Sequence, residues 1–94
     1  MDELLLSKVR LSVVAALLAA EWVPFSDLCA AVETSSGNLG SHLGKLLEAG
    51  YVEEEKRFVG RRPQSRYRLT RVGRQAMLRH VKELRKLIES AESR

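Results

Sequence analysis

At 94 residues the chain makes one small domain, 1–94, with a modest core. A hydrophobic content of 45% with 30% charged residues is that of a soluble globular protein, and the longest apolar run, Val13 to Ala20, is too short to cross a bilayer. The acid-bearing opening MDELLLSK does not look like a signal peptide, which leaves a cytoplasmic protein as the default, and a lone Cys29 excludes an internal disulfide and a Cys/His zinc cluster.

The net charge of +4 hides a division along the chain. Residues 1–50 carry three basic side chains, Lys8, Arg10 and Lys45, against six acids; residues 51–94 carry thirteen against six. Eight of the thirteen fall between Lys56 and Arg74, where there is no acid. Charge concentrated in this way is the electrostatic footprint of a polyanionic partner. A surface laced with ion pairs accounts for the mixed charges of the last helix but not for this stretch.

The first helix is expected over about Glu3 to Ala20. Leu6, Val9, Val13, Ala16, Leu17 and Ala20 recur at three- and four-residue spacing, and Leu4, Leu5, Leu11, Val14 and Leu18 widen the apolar face. A helix apolar nearly all round is buried on more than one side, and a second protomer is the expected cover. Trp22-Val23-Pro24 interrupts the pattern, because the residue before proline favours extended backbone. Ser26 is then the expected N-cap of a short second helix, Asp27 to about Val32, with Phe25 as its hydrophobic staple. Cys29 on this helix reads as a small core hydrophobe, a redox-sensing thiol being the alternative.

Thr34-Ser35-Ser36 supplies the turn and cap of a third helix, roughly Ser36 to Ala49, whose inner face is Leu39, Leu43, Leu46 and Leu47. At 100° per residue the opposite face shows Gly37, Asn38, Ser41, Gly44, Lys45 and Glu48, with His42 on its flank. Such side chains suit base edges and phosphates when they sit on the second helix of a helix-turn-helix. Interior glycines cost on the order of 1 kcal/mol each relative to alanine. Gly40 and Gly44, one turn apart, therefore mean that a backbone packs there, that DNA approaches there, or that the helix is locally soft.

Gly50 is the expected left-handed C-cap. Two strands follow, Tyr51 to Phe58 and Ser65 to Leu69, with Val52, Tyr67 and Leu69 inward and Glu53, Glu55, Arg57, Arg66 and Arg68 in solvent, paired across the strands. Gly60 and Pro63 bracket a tip carrying Arg61 and Arg62. Thr70 caps a last helix from Arg71 to about Ser90. Met77, Val81, Leu84, Ile88 and Ala91 follow one another at intervals of 4, 3, 4 and 3, an a/d seam that either packs on the first helix or pairs with a second copy.

The order is helix, helix, helix, two-stranded ribbon, helix: mainly α with a β-hairpin wing. It resembles the winged helix-turn-helix transcriptional regulators related to the MarR and ArsR families, and the small stand-alone winged-helix DNA-binding proteins of archaea and bacteria. The resemblance spans nearly the whole chain. It rests on Ser7 to Leu11, Phe25 to Leu28, Gly37-Asn38-Leu39 with Ser41-His42-Leu43, Leu47 to Val52, Phe58 to Pro63, and Tyr67 to Thr70 with Gly73. It implies a homodimer on double-stranded operator DNA, with the third helix in the major groove and the wing beside it. Relatives often carry a serine and a basic residue where Gly40 and Gly44 stand, and an apolar residue where Glu54 stands. The cysteine pair of the metal-sensing branch is missing, so metal sensing is disfavoured.

The residues expected at DNA are Ser36, Asn38, Ser41, His42 and Lys45 on the third helix, Arg61 and Arg62 at the wing tip, and Arg57, Arg66 and Arg68 on the backbone. The residues expected at a dimer interface are Leu4, Leu5, Met77, Val81, Leu84 and Ile88, with 71–92 as the dimerisation helix. No cofactor, metal or catalytic constellation is expected: His42 and His80 are the only histidines, and no nucleophile–base–orienter set or phosphate loop is present. A winged helix used for protein or RNA contact is the alternative. It calls for an exposed apolar patch or stacking aromatics, for which Phe58 and Tyr67 are the candidates.

Overall fold

The computed structural model describes residues 1–93. A 3-10 turn, Glu3–Leu6, leads into α1 (Lys8–Leu18), β1 (Val23–Pro24), α2 (Phe25–Val32), α3 (Ser36–Glu48), β2 (Val52–Val59), β3 (Arg62–Leu69) and α4 (Arg71–Glu92). The strands form an antiparallel sheet in the order β1-β3-β2, so the two-stranded wing gains a two-residue third strand where Val23 pairs with Tyr67. The molecule is elongated, 60 × 25 × 21 Å, because the hairpin and the end of α4 both project from the core.

The expected first helix divides at Ser7. Ser7 has extended backbone (φ −74°, ψ 128°) and its hydroxyl accepts from Arg10 N–H at 3.3 Å, which makes it the N-cap of α1. Asp2 caps the preceding turn, and Arg10 Nε donates to the Leu4 carbonyl at 2.7 Å, clamping the turn to α1. This fold-back drives Leu5 into the protomer's own core, where it is 1% exposed. Leu5 is therefore not offered to a partner, contrary to the interface role expected of it.

Val13, Val14 and Leu17 are fully buried, and α1 is covered by α2, α3, β3 and α4 of the same chain. Much of its wide apolar face is thus covered within the protomer, while Leu18 stays 37% exposed. Leu28 of α2, Leu39, Leu43 and Leu46 of α3, Val52, Tyr67 and Ala76 complete the core, with Cys29 half-buried against it. Ser26 does not cap α2. The helix starts at Phe25 after Pro24, whose fixed φ of −62° sets the chain for the first turn, and there is no side-chain cap bond. α2 ends on Glu33 in the left-handed region (φ 51°, ψ 49°), a conformation that costs a non-glycine residue.

Thr70 caps α4 as expected, accepting from Gly73 N–H at 3.0 Å while its hydroxyl donates to the Gly50 carbonyl at 2.6 Å. Gly73 is dictated by packing: a Cβ there would fall on the Tyr51 carbonyl oxygen and 2.8 Å from Leu69 Cδ1. At Gly40 and Gly44 a Cβ meets nothing within 4 Å, so no backbone packs on that strip among the described residues. Opposite outcomes follow for one type of substitution. Gly73→Ala lowers stability by about 2 kcal/mol, roughly 10 °C in Tm for a domain of this size. Gly40→Ala and Gly44→Ala each raise the free protein's stability by up to about 1 kcal/mol. Thermal denaturation followed by circular dichroism checks both.

Candidate nucleic-acid interface

α3 is a two-faced helix. Ser35 caps it, accepting from Asn38 N–H at 3.2 Å, and Leu39, Leu43 and Leu46 are buried beneath it. Ser36, Gly37, Asn38, Gly40, Ser41, Lys45 and Glu48 are exposed on the other side, which includes four of the five α3 residues singled out from the sequence; His42 is half-buried at the edge. Asn38 Nδ2 donates to Thr34 Oγ1 at 2.7 Å, so the amide is held against the turn and leaves its carbonyl oxygen and one N–H outward.

His42 is held from below. Arg10 Nη1 lies 2.8 Å from His42 Nδ1, across 32 residues of sequence. Arginine has no acceptor, so the guanidinium donates, Nδ1 accepts, and the ring proton sits on Nε2. Desolvation, then the positive charges of Arg10 and Lys45, hold the imidazole below its usual 6.5. A neutral ring presenting an Nε2–H is a donor to a base or phosphate acceptor. The spacing of the apolar residues showed nothing of Arg10's part, which depends on α1 and α3 crossing.

An NMR titration is expected to find the His42 midpoint below 6.5, moving up towards it in Arg10→Met. The sign for stability follows. Because the folded pKa is depressed, the unfolded chain binds the proton more readily, and the contribution of this contact is lost as pH falls below 6.5 through the folded value.

The hairpin closes with a two-residue turn, Gly60-Arg61, between the paired residues Val59 and Arg62. Gly60 alone has positive φ, 64°, the pattern of a II′ turn whose twist matches the strands. β3 therefore starts at Arg62, earlier than the expected Ser65, and contains Pro63. Pro63 lies opposite Phe58, one step from the turn-closing pair, where an N–H would point away from β2 and none is needed. Arg61 and Arg62 project at the tip, as expected from the sequence.

The remaining wing arginines divide. Arg57 is exposed, with Nε 3.1 Å from the neutral Gln64 amide oxygen. Arg66 and Arg68, also expected on the DNA backbone, are engaged within the wing. Arg66 donates through Nε and Nη2 to Glu55 Oε1 at 2.9 and 2.6 Å, and Arg68 Nε donates to Glu53 Oε1 at 2.6 Å. Both guanidinium groups also lie over the Trp22 ring, 4.6 and 4.7 Å from its centroid. The register Glu55↔Arg66 and Glu53↔Arg68 creates these pairs, and β1 brings the tryptophan. They stiffen the base of the wing, and the Glu53 bond holds Arg68 more firmly protonated than usual. On the inner face Tyr67 donates to Glu54 at 2.5 Å, and burial first, then that bond, raises the phenol's pKa.

On and beside the wing, the cations exposed without an ion pair among the described residues are Lys45 on α3, Lys56, Arg57, Arg61 and Arg62 on the hairpin, and Arg71 and Arg74 at the start of α4; Lys8, Arg79, Lys82, Arg85 and Lys86 are likewise exposed and unpaired elsewhere on α1 and α4. On α4 itself the core-facing stripe is Gly73, Ala76 and His80, the last 2% exposed. Met77 packs partly on the core, and Leu4, Val81 and Leu84 are half-buried. Leu87 and Ile88 stand on the part of the helix that overhangs, 57% and 56% exposed. Among the described residues no group of three His, Cys, Asp or Glu side chains forms a metal-ligand set, and no helix is long and apolar enough to cross a membrane.

A helix-turn-helix built from α2 and α3, followed at once by a β-hairpin wing, defines the winged-helix class. The winged helix DNA-binding domain family matches residues 9–88, and the chain belongs to that family. It is a DNA-binding protein and not an enzyme. An uncharacterized protein of Methanocaldococcus jannaschii is 33% identical over 86 residues, 92% of this chain and 94% of that relative. A transcriptional regulator homologue from Pyrococcus horikoshii shares the fold with a TM-score of 0.87 at 28% identity, over 96% of this chain and 89% of that one. A MarR-family transcriptional regulator from Silicibacter pomeroyi gives 0.72 at 28% identity, over 88% of this chain and 55% of that one. FabT of Streptococcus pneumoniae, solved in complex with DNA, gives 0.66 at 20% identity over 92% of this chain and 58% of that one, a likeness of fold.

Proposed function

We propose that the protein is a cytoplasmic transcriptional regulator that binds an operator as a homodimer, with residues 1–94 as one winged-helix domain and 71–92 as its dimerisation helix. The observation that carries the reading is the pairing of two exposed elements. α3 turns a polar, glycine-bared face outward, and the hairpin beside it ends in a type II′ turn whose two tip arginines have no ion-pair partner among the described residues.

In this reading Asn38, Ser41 and His42 contact base edges in the major groove. Ser36 and Lys45 contact phosphates, and Arg61 and Arg62 enter the adjacent minor groove. Arg57 contacts the backbone. Arg66 and Arg68, tied to Glu55, Glu53 and Trp22, hold the wing's base and leave DNA contact to the tip. For the dimer, Leu84 and Ile88, with Leu87 beside them, lie on one face of the α4 overhang. That face is continuous with Met77 and Val81. Two such helices paired across a two-fold axis cover one another and set the two α3 helices about 34 Å apart, one turn of DNA.

Titration of duplex DNA at several salt concentrations tests the reading. Affinity is expected to fall with a log–log slope of about −0.9 for each phosphate neutralised. A flat salt dependence, or no duplex binding at low salt, contradicts it.

A further inference from the structure

We propose that Phe58 is a DNA contact in its own right: an apolar side chain that enters the minor groove beside the tip arginines and packs against deoxyribose. The inference rests on the duplex-binding reading above and adds to it a contact that carries no charge.

Side chains alternate across a strand, so Phe58 shares a face of the hairpin with Val52 and Glu54 of β2 and with the cross-strand residues Tyr67, Ser65 and Pro63. At the inner end of that face Val52 and Tyr67 are buried, with the Phe25 and Tyr67 ring centroids 6.4 Å apart. Six residues further out, roughly 20 Å along the strand, the face has left the core behind. Phe58 stands there 74% exposed, the most exposed of the large apolar side chains, with Val59 next to it at 50%. A phenylalanine so exposed and so far from the core, with Pro63 across the strand as its neighbour, contributes little to the protomer's stability.

Its surroundings select the occupant. Lys56 lies two residues back on the same face, Arg57 is adjacent, and Arg61 and Arg62 form the tip one step beyond Val59. All four are exposed and none has an ion-pair partner among the described residues. A second copy of this hairpin, or any apolar protein surface, would have to approach four uncompensated positive charges, and burying them without partners is costly. A DNA strand matches the pattern term by term. Its phosphates meet the cations, and the sugar faces lining the minor groove are the apolar surface available to a ring. The groove is about 6 Å wide, which admits an aromatic edge, and apolar side chains are used in this way by proteins that work in the minor groove.

The consequence is a contact that strengthens binding without releasing counterions. The experiment compares wild type, Phe58→Ala, Phe58→Leu and the double variant Arg61→Ala with Arg62→Ala. Each is titrated with one fluorescent duplex at several salt concentrations, alongside melting and sedimentation of the free proteins. Phe58→Ala is expected to weaken duplex binding about tenfold at every salt concentration with an unchanged salt slope, the size of one apolar contact. Phe58→Leu is expected to keep most of the affinity, and the arginine double variant to lower the slope. Because the ring is exposed, melting stays at the wild-type value.

Unchanged affinity in Phe58→Ala beside a weakened arginine variant overturns the proposal and leaves duplex binding standing. A reduced slope in Phe58→Ala also overturns it, since the ring would then act only by placing the arginines. So does altered sedimentation with DNA affinity intact, which would make the face a protein contact. A wild type that binds no duplex removes this proposal together with the reading it rests on.

Discussion

Alanine at both Arg61 and Arg62 is expected to weaken binding to every duplex, operator or scrambled, by roughly ten- to a hundredfold at low salt. The two side chains sit on the turn and the first residue of β3, exposed, with no carboxylate beside them among the described residues. Their charge is therefore available to phosphates or to a narrow minor groove, whose negative potential attracts arginine. Four such arginines in a dimer, if each displaces one counterion, account for a slope change of about 3 to 4 in log affinity against log salt. Loss should be of similar size on specific and non-specific sequences, because tip arginines sense backbone charge and groove width more than base identity.

The same substitution at Arg66 and Arg68 is expected to behave differently. These side chains are already bonded to Glu55 and Glu53 and stacked on Trp22. Their removal loosens the wing's base while leaving the salt slope near the wild-type value. Anisotropy titrations of both double variants on an operator and on a scrambled duplex decide the assignment. An unchanged slope in the tip variant removes Arg61 and Arg62 from the interface.

Leu84→Lys combined with Ile88→Lys is expected to convert the dimer to a monomer and to lower operator affinity by a hundredfold or more. Two half-sites bound by linked protomers gain an effective-concentration advantage of about 10²–10⁴, which a monomer forfeits. Ile88 is more than half exposed and Leu84 half-buried, so the change should leave the protomer folded. Sedimentation equilibrium gives the assembly state and melting gives the fold. A wild type that already sediments as a monomer at micromolar concentration contradicts the paired-helix arrangement.

Much of the fold was legible because local chemistry and periodicity agreed. Leu39, Leu43 and Leu46 at four- and three-residue spacing mark the buried face of α3, Gly50 its left-handed exit, and Thr70 the cap of α4. Alternation also put Glu53, Glu55, Arg66 and Arg68 on the solvent side, where opposite charges pair across strands, although the partners follow only from the register. What was not readable depends on contacts between distant segments or on a choice between two competent residues. The apolar spacing runs through Ser7 unbroken, so only the fold-back of the first turn reveals the cap. Pro24 and Ser26 can each begin a helix, and the pairing of β1 with β3 selects Pro24. The contacts of Arg66 and Arg68 with Trp22, Glu55 and Glu53 depend on β1 docking and on the strand register, which alternation alone does not supply. Leu5 looked like interface because the strength of α1's own enclosure cannot be seen from one helix. On the candidate interface, Asn38, Ser41 and Lys45 were legible as an outward face. The hold of Arg10 on His42 joins residues 32 apart and was not.

The central claim is that one dimer reads duplex DNA with α3 in the major groove and the hairpin tip in the neighbouring minor groove. An operator selected from random duplexes, then footprinted with hydroxyl radical and with dimethyl sulfate, tests it most directly. The prediction is an inverted repeat whose guanine N7 protections form two major-groove patches about 10 base pairs apart, the spacing of one helical turn. Each patch is flanked on its outer side by a minor-groove protection that disappears in the Arg61→Ala, Arg62→Ala variant. Protection confined to a single groove, a site without two-fold symmetry, or a minor-groove footprint indifferent to the tip arginines would contradict it.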